Sequence, residues 1–289
     1  MPFALIGFFL GLRALWPPAE AAGSQRAIDS SSGPSITAGV LVIRFFLVVA
    51  CMVFARSAAM AFNRYLDRHI DAKNPRTAVR EIPRGIISES GALGFTLLAC
   101  LLFLTCSFFI NRICFWLAPV ALFVILFYSY TKRFTPWCHI VLGLGLSLAP
   151  IGAYLAVTGH FALLPVLFSL AVIFWVGGFD IIYSLQDEEF DKAQKLYSFP
   201  SWLGKKKALF ASELLHLLSV GCVFTAGVSG GFGWLYWIGV AIFSGMLIYQ
   251  HAIVKPHDLS RVNLAFMTAN GIASVVFATF VVSDIFLMR

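Results

Sequence analysis

The sequence predicts an all-α, polytopic integral membrane protein, a single domain over residues 1–289 with about nine transmembrane helices around a central cavity. Three observations point there. Of 289 residues, 60% are hydrophobic and only 12% charged, whereas a water-soluble domain carries about 25% charged residues to coat its surface. Apolar runs of about 20 residues, the length that crosses a hydrocarbon core about 30 Å thick, recur along the chain. The basic residues between those runs gather in alternate loops.

The first run, 3–16, would cover about 21 Å as a helix, short of the core thickness. Its natural start is therefore expected upstream of Met1. Followed by Ala19-Glu20-Ala21 it also resembles a signal peptide, yet it lacks a basic leader. Residues 19–37, rich in Ser, Gly and Ala, read as a poorly ordered external loop. Eight full-length runs follow near 38–62, 91–109, 113–130, 138–157, 163–185, 209–227, 233–250 and 264–286. Very short links such as Gly159-His160-Phe161 and Ser229-Gly230-Gly231 alternate with longer charged loops.

Loops 63–90, 131–137, 186–208 and 251–262 hold 15 of the 21 basic residues. The opposite side holds only Arg26, Arg112 and Arg289, and Arg13, Arg44 and Arg56 lie within runs. Positive residues stay on the cytoplasmic side of a membrane. The charged loops and the N-terminus are thus expected in the cytoplasm and the C-terminus outside, in a bacterial cytoplasmic (inner) membrane. The net charge of +7 follows from that asymmetry and calls for no nucleic-acid partner. The six cysteines sit inside apolar runs without a CxxC pair, so neither a disulfide framework nor a metal knuckle is implied.

Eight of the fourteen acidic residues fall in 67–81 and 180–191. Asn63, Asp67 and Asp71 recur every four residues, which on a continued helix sets them on one face with about 6 Å of rise between neighbours. Asp180, Tyr183, Asp187 and Asp191 form a second stripe at the end of another run. For one isolated pair, solvated helix-end charge or weak surface salt bridging is the ordinary explanation. Here the spacing occurs twice, on helices of equal direction. Clustered carboxylates repel unless a cation joins them, and Mg2+ suits a few carboxylates plus phosphate oxygens. Two facing stripes can thus hold a diphosphate, with Arg68, Arg76, Arg80, Lys132, Arg133 and Lys192 near enough in sequence to neutralise its outer oxygens.

Asn63-x3-Asp67-x3-Asp71 followed by Asn74-Pro75-Arg76-Thr77-x2-Arg80 resembles the first signature of the UbiA superfamily of membrane prenyltransferases. Asp180-x2-Tyr183-x2-Gln186-Asp187-x3-Asp191 resembles the second. Between them Tyr128-Ser129-Tyr130-Thr131-Lys132-Arg133 is similar to the family's Tyr-x-x-x-Lys-Arg turn, and Leu148-Ala149-Pro150-Ile151-Gly152-Ala153-Tyr154 to its Ala-Pro-x-Gly-Ala helix. Pro2-Phe3-Ala4-Leu5-Ile6-Gly7 matches its first membrane helix. Two departures stand out: Arg80-Glu81-Ile82-Pro83 replaces the usual Arg-Pro-Leu, and Phe190 replaces a frequent acid before Asp191.

The resemblance, strongest to 4-hydroxybenzoate polyprenyltransferases and their quinone-pathway relatives, implies Mg2+-dependent transfer of a polyprenyl chain from its diphosphate to an aromatic acid. In ubiquinone biosynthesis the acid is 4-hydroxybenzoate, and a naphthoate of menaquinone biosynthesis is the alternative. It implies Asp67, Asp71, Asp187 and Asp191 as metal ligands, with Asn63 completing the shell. Arg133 and Lys132 would bind the acceptor carboxylate or the departing diphosphate. Arg68, Arg76, Arg80, Asp180, Gln186 and Lys192 would contact substrate, and Tyr128, Tyr130, Tyr183 and Phe179 would offer π faces to an allylic cation. A cation-coupled transporter is the competing class, since carboxylates inside membranes also mark ion pathways. It predicts charge near the midplane, whereas these acids lie at helix ends.

Overall fold

The structure, a computed structural model, describes residues 2–15 and 37–287. The expected external loop 19–37, apart from Thr37, and Arg289 lie outside the described residues. Helix α1 is Pro2–Leu15, α2 Ala38–Asp71, α3 Glu89–Ile110, α4 Arg112–Thr131, α5 Cys138–Thr158 and α6 Leu163–Ser184. A 3-10 turn, Leu185–Asp187, leads into the short α7 (Glu188–Ala193) and α8 (Phe199–Leu203). Then come α9 (Lys205–Ser229), α10 (Trp234–Ile253), a π-helical stretch Leu264–Ala269 and α11 (Asn270–Leu287).

Among the described residues eight helical segments are long and apolar enough to cross a membrane. The expected nine therefore becomes eight plus α1, whose 14 residues fall short of a span. Packing holds α1 in the bundle. A Cβ added at Gly7 would lie 2.9 Å from the Pro150 Cα and closer still to its carbonyl, and one at Gly11 would lie 2.7 Å from the Val157 Cβ. The two glycines let α1 lie directly on the α5 backbone. Its other side feeds Phe3, Ile6 and Leu10 into the main core with Phe168, Trp175, Tyr236, Phe243 and Phe277.

Burial decreases from the bundle centre to its rim. In α6, 56% of the spanning window is buried, against 11% in α2. Ile43, Phe46, Phe109, Trp116 and Phe123 are exposed, and on a multi-pass membrane protein such rings and branches meet lipid. Helix ends inside this apolar setting need partners for their free backbone groups. Asn111 accepts the Cys114 amide at 2.9 Å, starting α4, while its own amide donates to the Leu155 carbonyl at 2.8 Å. Asn270 donates to the Phe266 carbonyl at 3.0 Å where the π-helical stretch ends, and accepts from Trp175 Nε1 and Gln250 Nε2 at 3.0 and 2.9 Å.

Asp284, buried in α11, accepts the Gly233 and Tyr236 amides at 2.9 and 3.2 Å and so caps α10 from a neighbouring helix. Losing a cap costs about 0.5–2 kcal/mol. Asp284→Ala is expected to lower the thermal midpoint in detergent by several degrees. An unchanged midpoint would show that the cap contributes nothing.

Candidate active site

The site forms where the helices most rich in acids end together. Helix α2 continues unbroken to Asp71, so Asn63, Asp67 and Asp71 share one face as their spacing predicts. The second stripe is not one helix. After Ser184 the chain tightens into a 3-10 turn and restarts as α7, which puts Asp180 and Tyr183 on α6, Asp187 in the turn and Asp191 on α7. All seven nevertheless line one cavity of about 270 Å³. Arg76, Arg80, Tyr128, Lys132, Asn74, Ser198 and His139 complete much of its wall.

Each acid carries partners supplied by the chain. Asp67, 1% exposed, accepts from Lys132 Nζ, from Arg133 Nη2 at 2.9 Å and from Asn63 Nδ2 at 3.3 Å. Arg80 Nη1 donates to Asp71 Oδ2 at 2.8 Å. Arg76 grips Asp187 with Nε at 3.1 Å and with Nη2, and its Nη1 donates to the Tyr183 hydroxyl at 2.7 Å. Burial alone would weaken the hold of Arg76 on its proton, but the Asp187 carboxylate more than offsets it and keeps the guanidinium above its ordinary value. Asn74 Nδ2 donates to Asp187 Oδ1 at 3.2 Å, and Ser198 donates to Asp191 Oδ2 at 2.8 Å. A capping box at the start of α8 fixes Ser198, and the Tyr197 amide donates to the Lys132 carbonyl at 2.7 Å, tying this loop to the α4–α5 turn.

Several expected site residues point elsewhere. Arg68 pairs with Glu89 at 2.9 Å and lies 4.6 Å from the Tyr65 ring centroid. Lys192 pairs with Glu188 one helical turn away, at 2.5 Å. Gln186 donates to the Tyr183 carbonyl at 3.2 Å, and Tyr130 is 41% exposed beside Phe62. Phe179 packs between Trp175 and Phe266, in the core. Arg133 reaches Asp67 and the Leu66 and Ser129 carbonyls, clamping α4 to α2 without lining the cavity. Tyr183 lines it but stacks on Phe266 at 4.1 Å and carries the Arg76 guanidinium 5.0 Å from its centroid, so its π surface already serves the chain's own cation. Sequence reasoning missed His139, Ser198 and Asn74 as wall residues. Asn74 stood in the quoted motif, whereas a lone His at the start of an apolar run and a Ser in a loop carried no spacing signal.

Among the described residues no three acidic, His or Cys side chains converge as a ready-made metal cage. The donor set still fits Mg2+: four hard carboxylates and two amide side chains around one cavity suit an ion that takes one or two carboxylates and completes its shell with phosphate and water. Arg76, Arg80 and Lys132, now on carboxylates, are the groups that phosphate oxygens would draw away.

The UbiA prenyltransferase family model matches residues 30–272. A 4-hydroxybenzoate octaprenyltransferase of Paraburkholderia phymatum is 31% identical over 271 residues, 92% of this chain and 89% of the relative. One from Nitrosomonas europaea is 31% identical and covers 95% of this chain and 90% of its own. Among solved structures, the apo UbiA homologue of Aeropyrum pernix K1 superposes with a TM-score of 0.81 at 28% identity, over 98% of this chain and 97% of the other. A UbiA homologue of Archaeoglobus fulgidus bound to GPP and Mg2+ shares the fold, with a TM-score of 0.64 at 19% identity over 98% of this chain and 96% of the other. With the two acidic motifs on one cavity and a match over most of its length, this chain belongs to the UbiA prenyltransferase family.

Proposed function

We propose that the protein, acting as a single domain over residues 1–289, transfers a polyprenyl chain from polyprenyl diphosphate to an aromatic acid, 4-hydroxybenzoate, in ubiquinone biosynthesis. The observation that carries this is the convergence of both acidic motifs and three basic side chains on one cavity. The relatives named 4-hydroxybenzoate octaprenyltransferase support the acceptor. The Archaeoglobus homologue bound to GPP and Mg2+ gives the same fold with such a ligand.

Asp67, Asp71, Asp187 and Asp191, with Asn63, would hold Mg2+. An ion held by these residues would supply Lewis-acid chemistry, offsetting the charge that builds on the diphosphate leaving group. Arg76, Arg80 and Lys132 would turn from carboxylate to diphosphate oxygens and hold the leaving group. Arg133, tied to two carbonyls, keeps Asp67 in place. Tyr128 offers the developing allylic cation a ring at the cavity wall. The apolar bundle below excludes the water that would quench it. The acids lie at helix ends, away from the midplane position an ion pathway needs.

Membranes carrying the protein, given Mg2+, radiolabelled polyprenyl diphosphate and each acid separately, test the proposal. Labelled product with 4-hydroxybenzoate is expected. Product only with a naphthoate would overturn the acceptor, and none with either would overturn the activity.

In the same reading the cavity opens to the cytoplasm of a bacterial inner membrane. Helix α9, 25 residues long, separates the α7–α8 loop from Ser229 by about 37 Å. In a cysteine-free background, Ala193→Cys and Ser229→Cys are both exposed positions. An impermeant reagent added outside is expected to label Ser229→Cys alone; the reverse pattern would invert the topology.

A further inference from the structure

His139 and Asp180 form a pair on the cavity wall that the diphosphate chemistry leaves unused. His139 Nδ1 lies 2.7 Å from Asp180 Oδ2, and the Phe199 amide donates to His139 Nε2 at 3.3 Å. Nδ1–H thus donates to the Asp180 carboxylate, and Nε2 faces the Phe199 amide. The ring, 2% exposed, is held in one orientation by these two contacts.

That sets Asp180 apart from its neighbours. Asp67, Asp71 and Asp187 are each paired with Lys or Arg side chains that occupy their oxygens. Among the described residues Asp180 receives a single hydrogen bond, from His139, and its Oδ1 receives none. It also stands seven residues before Asp187, about 10 Å further into the bundle at 1.5 Å per residue. A diphosphate held by the four outer acids would place the reacting carbon beneath it, towards that depth.

We propose that Asp180 is the catalytic base that takes the proton from the aromatic acceptor, and that His139 is its positioning residue; this rests on the prenyl-transfer reading above. The prenyl C1 bonds to a ring carbon as its C–O bond breaks, the electron pair leaving with the diphosphate. The ring carbon, now carrying both the new bond and its hydrogen, makes the ring a cation. Asp180 accepts that hydrogen as a proton, and the C–H electron pair restores the aromatic ring. The proton then leaves to water at the cavity mouth. His139 holds the carboxylate through Oδ2 and leaves Oδ1 free.

The full chain in bilayers with Mg2+, a polyprenyl diphosphate and ring-deuterated or ordinary 4-hydroxybenzoate tests this. Asp180→Asn is expected to lower turnover by about a hundredfold or more and to raise the deuterium isotope effect above the wild-type value. His139→Leu should lower turnover in the same way, and His139→Gln, whose amide can still donate to Asp180, should restore most of it. Turnover retained in Asp180→Asn, or an isotope effect no larger than that of the wild type, would overturn the proposal while leaving prenyl transfer standing. If Asp180→Asn does not insert, the His139 pair decides: equal turnover in the Gln and Leu variants overturns it. A wild type that forms no prenylated acid refutes the functional reading and this proposal together.

Discussion

Asp67→Asn, Asp71→Asn, Asp187→Asn and Asp191→Asn are each expected to reduce prenyl transfer about a hundredfold to a thousandfold, the cost of one well-placed electrostatic contact in a transition state. The amide keeps the shape of the carboxylate and removes only its charge. All four acids line the same cavity, so each loss would weaken the grip on Mg2+ and misplace the diphosphate, and excess Mg2+ should rescue at most partially. Asp67→Asn has a second effect, because Lys132 and Arg133, each 30% exposed, lose their shared partner and the α4–α5 turn its tie to α2. Turnover must therefore be expressed per folded protein. Asp258→Asn is the suitable control. Asp258 is exposed, and Ser260, which donates to it at 2.6 Å, holds its carboxyl below the usual range. Activity surviving neutralisation of either pair, or wild-type activity in chelator, would refute the metal-bridged diphosphate.

Gly7→Ala should destabilise the fold more than any single methyl added elsewhere on α1. The new Cβ would press on the Pro150 backbone, which cannot rotate away as a side chain tip can. Forced overpacking costs about 1–3 kcal/mol and occasionally more. A matched control is Gly152→Ala on α5, where an added Cβ meets nothing within 4 Å and helix propensity favours Ala. Thermal unfolding in detergent is expected to show a lower midpoint for Gly7→Ala and an equal or higher one for Gly152→Ala. Equal midpoints for both would mean that α1 can shift freely on α5.

The spans were legible because hydrocarbon demands long apolar runs, and the first acidic stripe because a period of four survives on an unbroken helix. The second stripe was legible as a set of residues but not as a shape. Nothing in Ser184-Leu185-Gln186-Asp187 announces a 3-10 turn, in which buried Leu185 joins Ile181, Ile182 and Phe199 in one cluster. Pairings across the bundle were also hidden. Arg76 with Asp187 and Lys132 with Asp67 are 111 and 65 residues apart in sequence, and lone residues such as His139 gain meaning only from such neighbours. Arg68 and Lys192, close to the motifs in sequence, pair with Glu89 and Glu188 and do not line the cavity.

The pairing of Asp67, Asp71 and Asp187 with Lys132, Arg133, Arg80 and Arg76 bears on how the protein is made. A newly synthesised chain must bring these acids together beside a lipid core before it has met any substrate. By carrying matching bases on the intervening turns, it can complete that assembly from its own sequence. Folding at this end of the bundle then needs no bound ligand to offset the mutual repulsion of its carboxylates.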